Sequence, residues 1–173
     1  MVTRGVFYNP VVPGEEKIPF LPWTFFIYIL VYIIPGSVYV VLNKKEDLFV
    51  TTRALVVGMV VPNIIWLFYP VSYAFRPDPA LVGGTRFLKM IAGFYALDTP
   101  PVNSFPSLHV TYAFLSYFAV HEFRPRLAPV YGWLAILISV STLTFKQHYI
   151  SDVAAGFLLA VIIKIFLMRP SPA

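Results

Sequence analysis

His148 and Asp152 stand four residues apart near the end of the chain, a spacing that puts both on one helical face where their side chains can meet. A carboxylate in that position accepts a hydrogen bond from one imidazole nitrogen and fixes the tautomer. The other nitrogen is left free to attack or to take a proton. Upstream, Pro106-Ser107-Leu108-His109 opens a second apolar segment. The amides that begin a helix are unpaired, so the backbone around Ser107 and Leu108, with the Ser107 hydroxyl, can hold an anion. His109 can then donate a proton to a leaving group. Arg76 and Lys146 bring positive charge suited to phosphoryl oxygens.

Each residue also has a simpler reading. Asp152 complements a helix dipole, Ser107 caps a helix while His109 packs in the bundle, and Arg76 and Lys146 snorkel to an interface. Snorkelling explains Lys164 well. It does not explain why RPDP at 76 to 79, PSLH at 106 to 109, KQH at 146 to 148 and Asp152 should fall at helix ends on one side. A metal held by His109, His148 and Asp152 is disfavoured because Arg76 and Lys146 would repel a cation. His121, twelve residues past His109, is about 18 Å away along a helix and faces the opposite end.

The elements that must position these residues are membrane helices. Of 173 residues, 58% are hydrophobic and 12% charged, too apolar for an ordinary soluble domain. Residues 20–42, 54–75, 127–145 and 149–168 each approach the roughly 20 apolar residues that a bilayer core demands. A shorter, more polar fifth segment, 106–120, fits by burial among its neighbours. Pro35-Gly36 and Pro62-Asn63 are expected to kink the first two spans, NKKEDLFVTTR at 43 to 53 to form a charged loop, and HEFRPR at 121 to 126 a tight turn. Between spans two and three, Phe87, Leu88, Met90, Ile91, Phe94 and Tyr95 recur at helical spacing beside Arg86 and Lys89. That pattern predicts an amphipathic interfacial helix.

The fold class is therefore all-α integral membrane, a bundle of about five transmembrane helices. Residues 1–19 form an irregular surface cap, 20–169 one helical domain and 170–173 a tail. No cleavable signal peptide is expected, since the first apolar run starts late and lacks a basic lead-in. Absence of cysteine excludes disulfides and thiol catalysis. The net charge of +5 comes without a basic cluster interleaved with aromatics, so no nucleic-acid partner is expected. Lys44, Lys45, Arg53, Arg124, Arg126 and Arg169 lie on one side. Arg4, Lys17, Arg76, Arg86, Lys89 and Lys146 lie on the other, a level tally. Setting Arg76 and Lys146 aside for chemistry makes the first side cytoplasmic and puts the site on the non-cytoplasmic side.

In order, Arg76-Pro77, then Pro106-Ser107-Leu108-His109, then the segment Ser141 to Asp152 resemble the three signatures of the type 2 phosphatidic acid phosphatase (PAP2) superfamily. Its members are membrane phosphatases and phosphotransferases related to vanadium haloperoxidases. The resemblance covers residues 69–168. It implies that His148 takes phosphate as a phosphohistidine, with Asp152 orienting it. His109 would protonate the leaving group and then activate the acceptor, while Arg76, Ser107 and Lys146 hold phosphoryl oxygens, with no metal or other cofactor.

The chain departs from that pattern at Tyr69, where the family has lysine, at Thr142, where it has arginine, and at Leu108, where it has glycine. It also looks one helix short of the six-helix core. Lys146, one turn beyond Thr142, is placed to restore the missing charge. The run DTPPVNSFPSLH is similar to the branch of inositol-phosphoceramide synthases and related phosphotransferases. The expected function is hydrolysis of a lipid phosphomonoester or pyrophosphate, the substrate being a phospholipid or an isoprenyl phosphate drawn from the surrounding membrane lipids. The alternatives are transfer of a phospho-headgroup of inositol-phosphate type to a lipid or alcohol by the same intermediate, and a non-catalytic lipid-phosphate binder. The sequence leaves the oligomeric state open.

Overall fold

A computed structural model describes residues 7–77 and 84–168. The expectations placed on Arg4, Asp78, Pro79, Arg169, the start of the cap and the tail 170–173 lie outside the described residues.

The described chain is helical. Seven α-helices follow in order: α1 Phe25–Tyr28, α2 Ile34–Val41, α3 Lys45–Phe68, α4 Arg86–Leu97, α5 Leu108–Phe123, α6 Ala128–Thr144 and α7 Ile150–Leu167. Three helices are long and apolar enough to cross a bilayer: α3, Pro125–Thr144 and α7. The bent pair Pro22–Tyr32 and Ile34–Val41 makes a fourth if it is one span. The fifth expected span, α5, has only 16 residues, about 24 Å at the α-helical rise. It lies at the centre of the bundle, against α2, α3, α6 and α7.

The first apolar segment is bent beside its Pro-Gly pair. The two pieces meet at 43°, with Ile33 at the joint and Pro35 in the first turn of α2. Proline is tolerated there because its missing N–H would have no helical partner. By contrast, α3 runs through Pro62 as one helix.

Both ends of α3 differ from expectation. The charged stretch 43–53 is mostly helix, because α3 begins at Lys45. Glu46 and Asp47 occupy its first turn, where acidic groups complement the dipole. The hydroxyls of Thr51 and Thr52 fold back onto the carbonyls of Asp47 and Leu48, both at 2.7 Å. At its other end α3 stops at Phe68 rather than continuing to Phe75, with Pro70 two residues on. The following segment is extended and pairs through isolated bridges from Val71 to Tyr8 and Asn103. The Tyr149 hydroxyl holds it, accepting from the Ala74 amide at 2.7 Å and donating to the Ser72 carbonyl at 3.1 Å.

The amphipathic helix is present as α4, capped by Thr85, whose hydroxyl accepts from the Leu88 amide at 3.3 Å. Its apolar face turns inward. Ile91 and Tyr95 are fully buried, in a cluster with Phe25, Tyr28 and Phe145. Tyr95 donates its hydroxyl to the Phe145 carbonyl at 2.6 Å. The expected turn at 121–126 is shorter than HEFRPR, because α5 runs to Phe123 and a 3₁₀ turn, Pro125–Leu127, leads into α6.

Close approach of helices fixes the site. A Cβ on Gly58 of α3 would lie 2.5 Å from Leu115 of α5, and one on Gly156 of α7 would lie 2.5 Å from the Ser107 carbonyl oxygen. Small residues permit backbones to meet in this way inside membrane bundles. The Thr111 hydroxyl bridges the second contact, donating to the Gly156 carbonyl at 3.0 Å.

Candidate active site

Chain direction and helix starts bring the polar clusters together. The connection from α6 to α7 turns sharply at Lys146, whose φ of 56° is left-handed, a conformation uncommon outside glycine and asparagine. Backbone amides of Gln147 and His148 both reach the Thr142 carbonyl, at 2.9 and 3.3 Å. This turn presents Gln147 and His148 inward. Asp152 then sits in the first turn of α7, where Oδ2 accepts from the Tyr149 amide at 2.8 Å.

His148 is the hub. Its Nδ1 lies 3.4 Å from Asp152 Oδ2, and its Nε2 lies 3.3 Å from Nδ1 of His109. Nδ1 meets Asp152 as a 3.4 Å ion-pair contact rather than a hydrogen bond, and which ring donates in the contact between the two histidines is set by their tautomers. Asp152 is wholly buried, so its charge acts through little water. The His109 ring stacks on Tyr28 at 4.5 Å between centroids and meets the edge of Tyr32 at 5.9 Å, which fixes its plane.

A cavity of about 590 Å³ opens in front of this pair. Arg76, Asp98, Ser104, Leu108, His109, Gln147 and His148 form its polar end. Val31, Pro35, Met59, Trp66 and Phe94 supply an apolar arm between the first span, α3 and α4. Five buried donor or ring nitrogens on residues of its wall have no hydrogen-bond partner: Trp66 Nε1, Arg76 Nε, His109 Nε2, Gln147 Nε2 and His148 Nδ1, the last facing Asp152. Buried polar atoms left unpaired are costly unless something binds them.

The remaining sequence candidates lie behind the wall. Ser107 is fully buried and caps α5, its hydroxyl accepting from the Val110 amide at 3.4 Å. Its own amide donates to the Asp152 carbonyl at 3.0 Å, so the two signatures are tied by backbone. The ammonium of Lys146 lies 5.8 Å from the centroid of the Phe75 ring. Burial holds that ammonium below the ordinary lysine range, and the nearby Glu15 carboxylate opposes the shift.

Three participants were not singled out from the sequence. Arg76 gives Nη1 to the Asp98 carbonyl at 2.6 Å and Nη2 to the Asp98 carboxylate at 2.7 Å. It also donates to Gln147 Oε1 and stands over the Tyr95 ring at 4.9 Å. Asp98 closes α4 within the run DTPP, and Gln147 sits between two residues already chosen, so adjacency was the available signal. Glu15 of the N-terminal cap is buried. It accepts from the amides of Ile150 and Val12, which docks the cap onto the start of α7. His121 lies at the far end of α5, as its spacing from His109 requires. Among the described residues no group of three or more acidic, histidine or cysteine side chains is arranged to hold a metal ion.

Comparison with known proteins is consistent with this arrangement. The family model described as PAP2 superfamily matches residues 24–172. An uncharacterized protein of Methanocaldococcus jannaschii is 32% identical over 155 residues, covering 86% of this chain and 62% of that protein. The chain thus spans less than two thirds of that relative's length. No solved structure matches the chain. The chain belongs to the PAP2 superfamily, a membrane family associated with phosphatase and phosphotransferase activity on lipid-like substrates.

Proposed function

We propose that this PAP2 superfamily member is an integral membrane enzyme that moves a phosphoryl group of a lipid through a phosphohistidine at His148. The observation that carries the reading is the relay from Asp152 through His148 to His109, with contacts of 3.4 and 3.3 Å at the polar end of a lipid-sized cavity. Attack forms a bond from His148 Nε2 to phosphorus and breaks the bond from phosphorus to the leaving oxygen, which takes a proton from the imidazolium form of His109 and leaves that ring neutral. An acceptor hydroxyl then gives its proton to His109 and attacks phosphorus, releasing His148. Asp152 stabilises the positive charge that develops on the imidazole. Arg76 and the backbone at Leu108 hold phosphoryl oxygens, and Ser107 supports them by fixing the start of α5. Lys146 contributes its field from behind the wall. The apolar arm receives the lipid chain.

Water as the acceptor gives hydrolysis of a lipid phosphomonoester or pyrophosphate, the first reading. A lipid or alcohol acceptor gives headgroup transfer, as in the inositol-phosphoceramide synthase branch that DTPPVNSFPSLH resembles. The ion pair between Asp98 and Arg76 favours this second reading, because it removes net charge from the seat of the phosphate. The site is assigned to the non-cytoplasmic side. Full-length protein in detergent, incubated with chelator and a panel of phosphatidic acid, phosphatidylglycerol phosphate, isoprenyl pyrophosphate and phosphatidylinositol, tests the reading. Release or exchange that vanishes in His148→Ala supports it, and a strict need for added metal overturns it.

A further inference from the structure

Among the described residues that line the cavity, Arg76 carries the one full positive charge and Asp98 the one full negative charge, and they are in contact at 2.7 Å. The Arg76 side chain is 8% exposed and that of Asp98 37% exposed, so the carboxylate is the partner that faces the open space. Of the charges set back from the wall, Lys146 has the Glu15 carboxylate nearby, and Asp152 faces the His148 ring. The polar end of the cavity is therefore near neutral. Its donors are not. Gln147, 4% exposed, spends Oε1 on Arg76 and leaves Nε2 buried and unpartnered on the cavity wall. An uncharged amide with a free N–H binds a phosphoryl oxygen without demanding a second negative charge.

We propose that the cavity selects a phosphate bearing one negative charge, the phosphodiester of a membrane lipid, over a doubly charged phosphomonoester. Asp98 sets that preference, and Gln147 is the neutral donor to a phosphoryl oxygen. A second charge on the substrate would be brought close to the Asp98 carboxylate, at a distance where like charges repel strongly even with protein screening. The inference rests on the phosphohistidine reading for the chemical step, although not for binding, and it takes headgroup transfer, the second reading, over hydrolysis of a monoester. Attack by His148 Nε2 on a diester breaks one ester bond and sends the proton of His109 to that alcohol. The other alcohol stays esterified on the phosphohistidine until an acceptor hydroxyl displaces nitrogen and returns a proton to His109.

The test uses the full chain in detergent with two lipids of matched acyl chains, phosphatidic acid and phosphatidylinositol. Wild type is expected to turn over the diester with a kcat/KM on the order of tenfold or more above that for the monoester. Asp98→Asn is expected to shift that ratio at least tenfold toward the monoester. Gln147→Leu is expected to raise KM for the diester. Independently of catalysis, dimethyl phosphate should raise the thermal midpoint of wild type more than methyl phosphate at equal concentration. A wild-type preference for phosphatidic acid together with stronger stabilisation by methyl phosphate would overturn the charge selection while leaving phosphoryl transfer standing. Turnover that survives His148→Ala would overturn the phosphohistidine reading instead, whichever lipid is preferred. Should Asp98→Asn fail to fold, the two wild-type comparisons decide the question.

Discussion

A Cβ placed on Gly156 would stand 2.5 Å from the carbonyl oxygen of Ser107, so the start of α5 and the second turn of α7 meet backbone to backbone. Ser107 and Asp152, 45 residues apart in sequence, are thereby brought to hydrogen-bonding range. Gly156→Ala must push the helices apart, because a backbone oxygen cannot swing aside as a side chain does. The expected cost is about 1–3 kcal/mol, with weakening of the Thr111 to Gly156 bond. A lowered thermal midpoint and a lowered rate should appear together, since the same displacement separates His109 from His148. An unchanged midpoint would mean that the approach is looser than the structure shows.

Asp152→Asn separates charge from shape. The asparagine carbonyl oxygen can keep the bond from the Tyr149 amide and still face His148 Nδ1, so α7 should start where it does now. What is lost is the negative charge that stabilises a cationic or phosphorylated imidazole. Transfer is expected to fall about a hundredfold or more, with the thermal midpoint little changed. Acid quenching of a reaction with phosphorus-labelled lipid should show less phosphohistidine. Equal labelling of wild type and variant would remove Asp152 from the chemistry.

The pairing of His148 with Asp152 was legible in the sequence because it is local, although His148 stands two residues ahead of α7 rather than on the helix face that the spacing predicts. His109, 39 residues from His148, announces itself beside a helix-starting proline. The helical class was legible from the apolar runs, and α4 from its spacing. The end of α3 was not, because Tyr69 to Phe75 are as apolar as the helix before them. Hydropathy cannot tell a continuing span from an extended segment held by the Tyr149 hydroxyl. The start of α3 was missed for the converse reason, since its charges belong to a helical first turn rather than to a loop. Asp98 and Glu15 were hidden because their roles are set by partners 22 and 135 residues away, and a lone carboxylate carries no sign of what it will meet.

Glu15 should behave as a clamp for the N-terminal cap. Its two carboxylate oxygens accept from Ile150 and Val12 amides, one of them an orphan donor at the start of α7, where negative charge is favoured. Gln at this position offers one oxygen and turns an N–H toward the other amide. Glu15→Gln is expected to destabilise the protein by about 1–3 kcal/mol. Limited proteolysis should cut ahead of residue 20 sooner than in wild type, because the cap is released from α7. Identical cleavage kinetics would show that the cap is held by its other contacts, such as the bond from Ser151 to the Pro10 carbonyl at 2.9 Å.

Lys146 predicts a pH effect whose sign follows from its surroundings. Burial lowers its pKa below the unfolded value, with Glu15 opposing, so between the two values the folded chain binds fewer protons than the unfolded one. Stability contributed by this residue therefore rises with pH across that window, which ends near the ordinary lysine value of about 10.4. The thermal midpoint of wild type should gain on that of Lys146→Met as pH is raised toward that value. A second comparison isolates the backbone. Lys146 has a φ of 56°, so Lys146→Gly relieves a left-handed strain that Lys146→Ala keeps, and the glycine variant should be the more stable of the two by about 1 kcal/mol. Both variants remove the charge behind the cavity wall, so both should lower kcat/KM by a similar factor, more at low salt than at high. Transfer rates untouched in both would confine Lys146 to shaping the turn that presents Gln147 and His148.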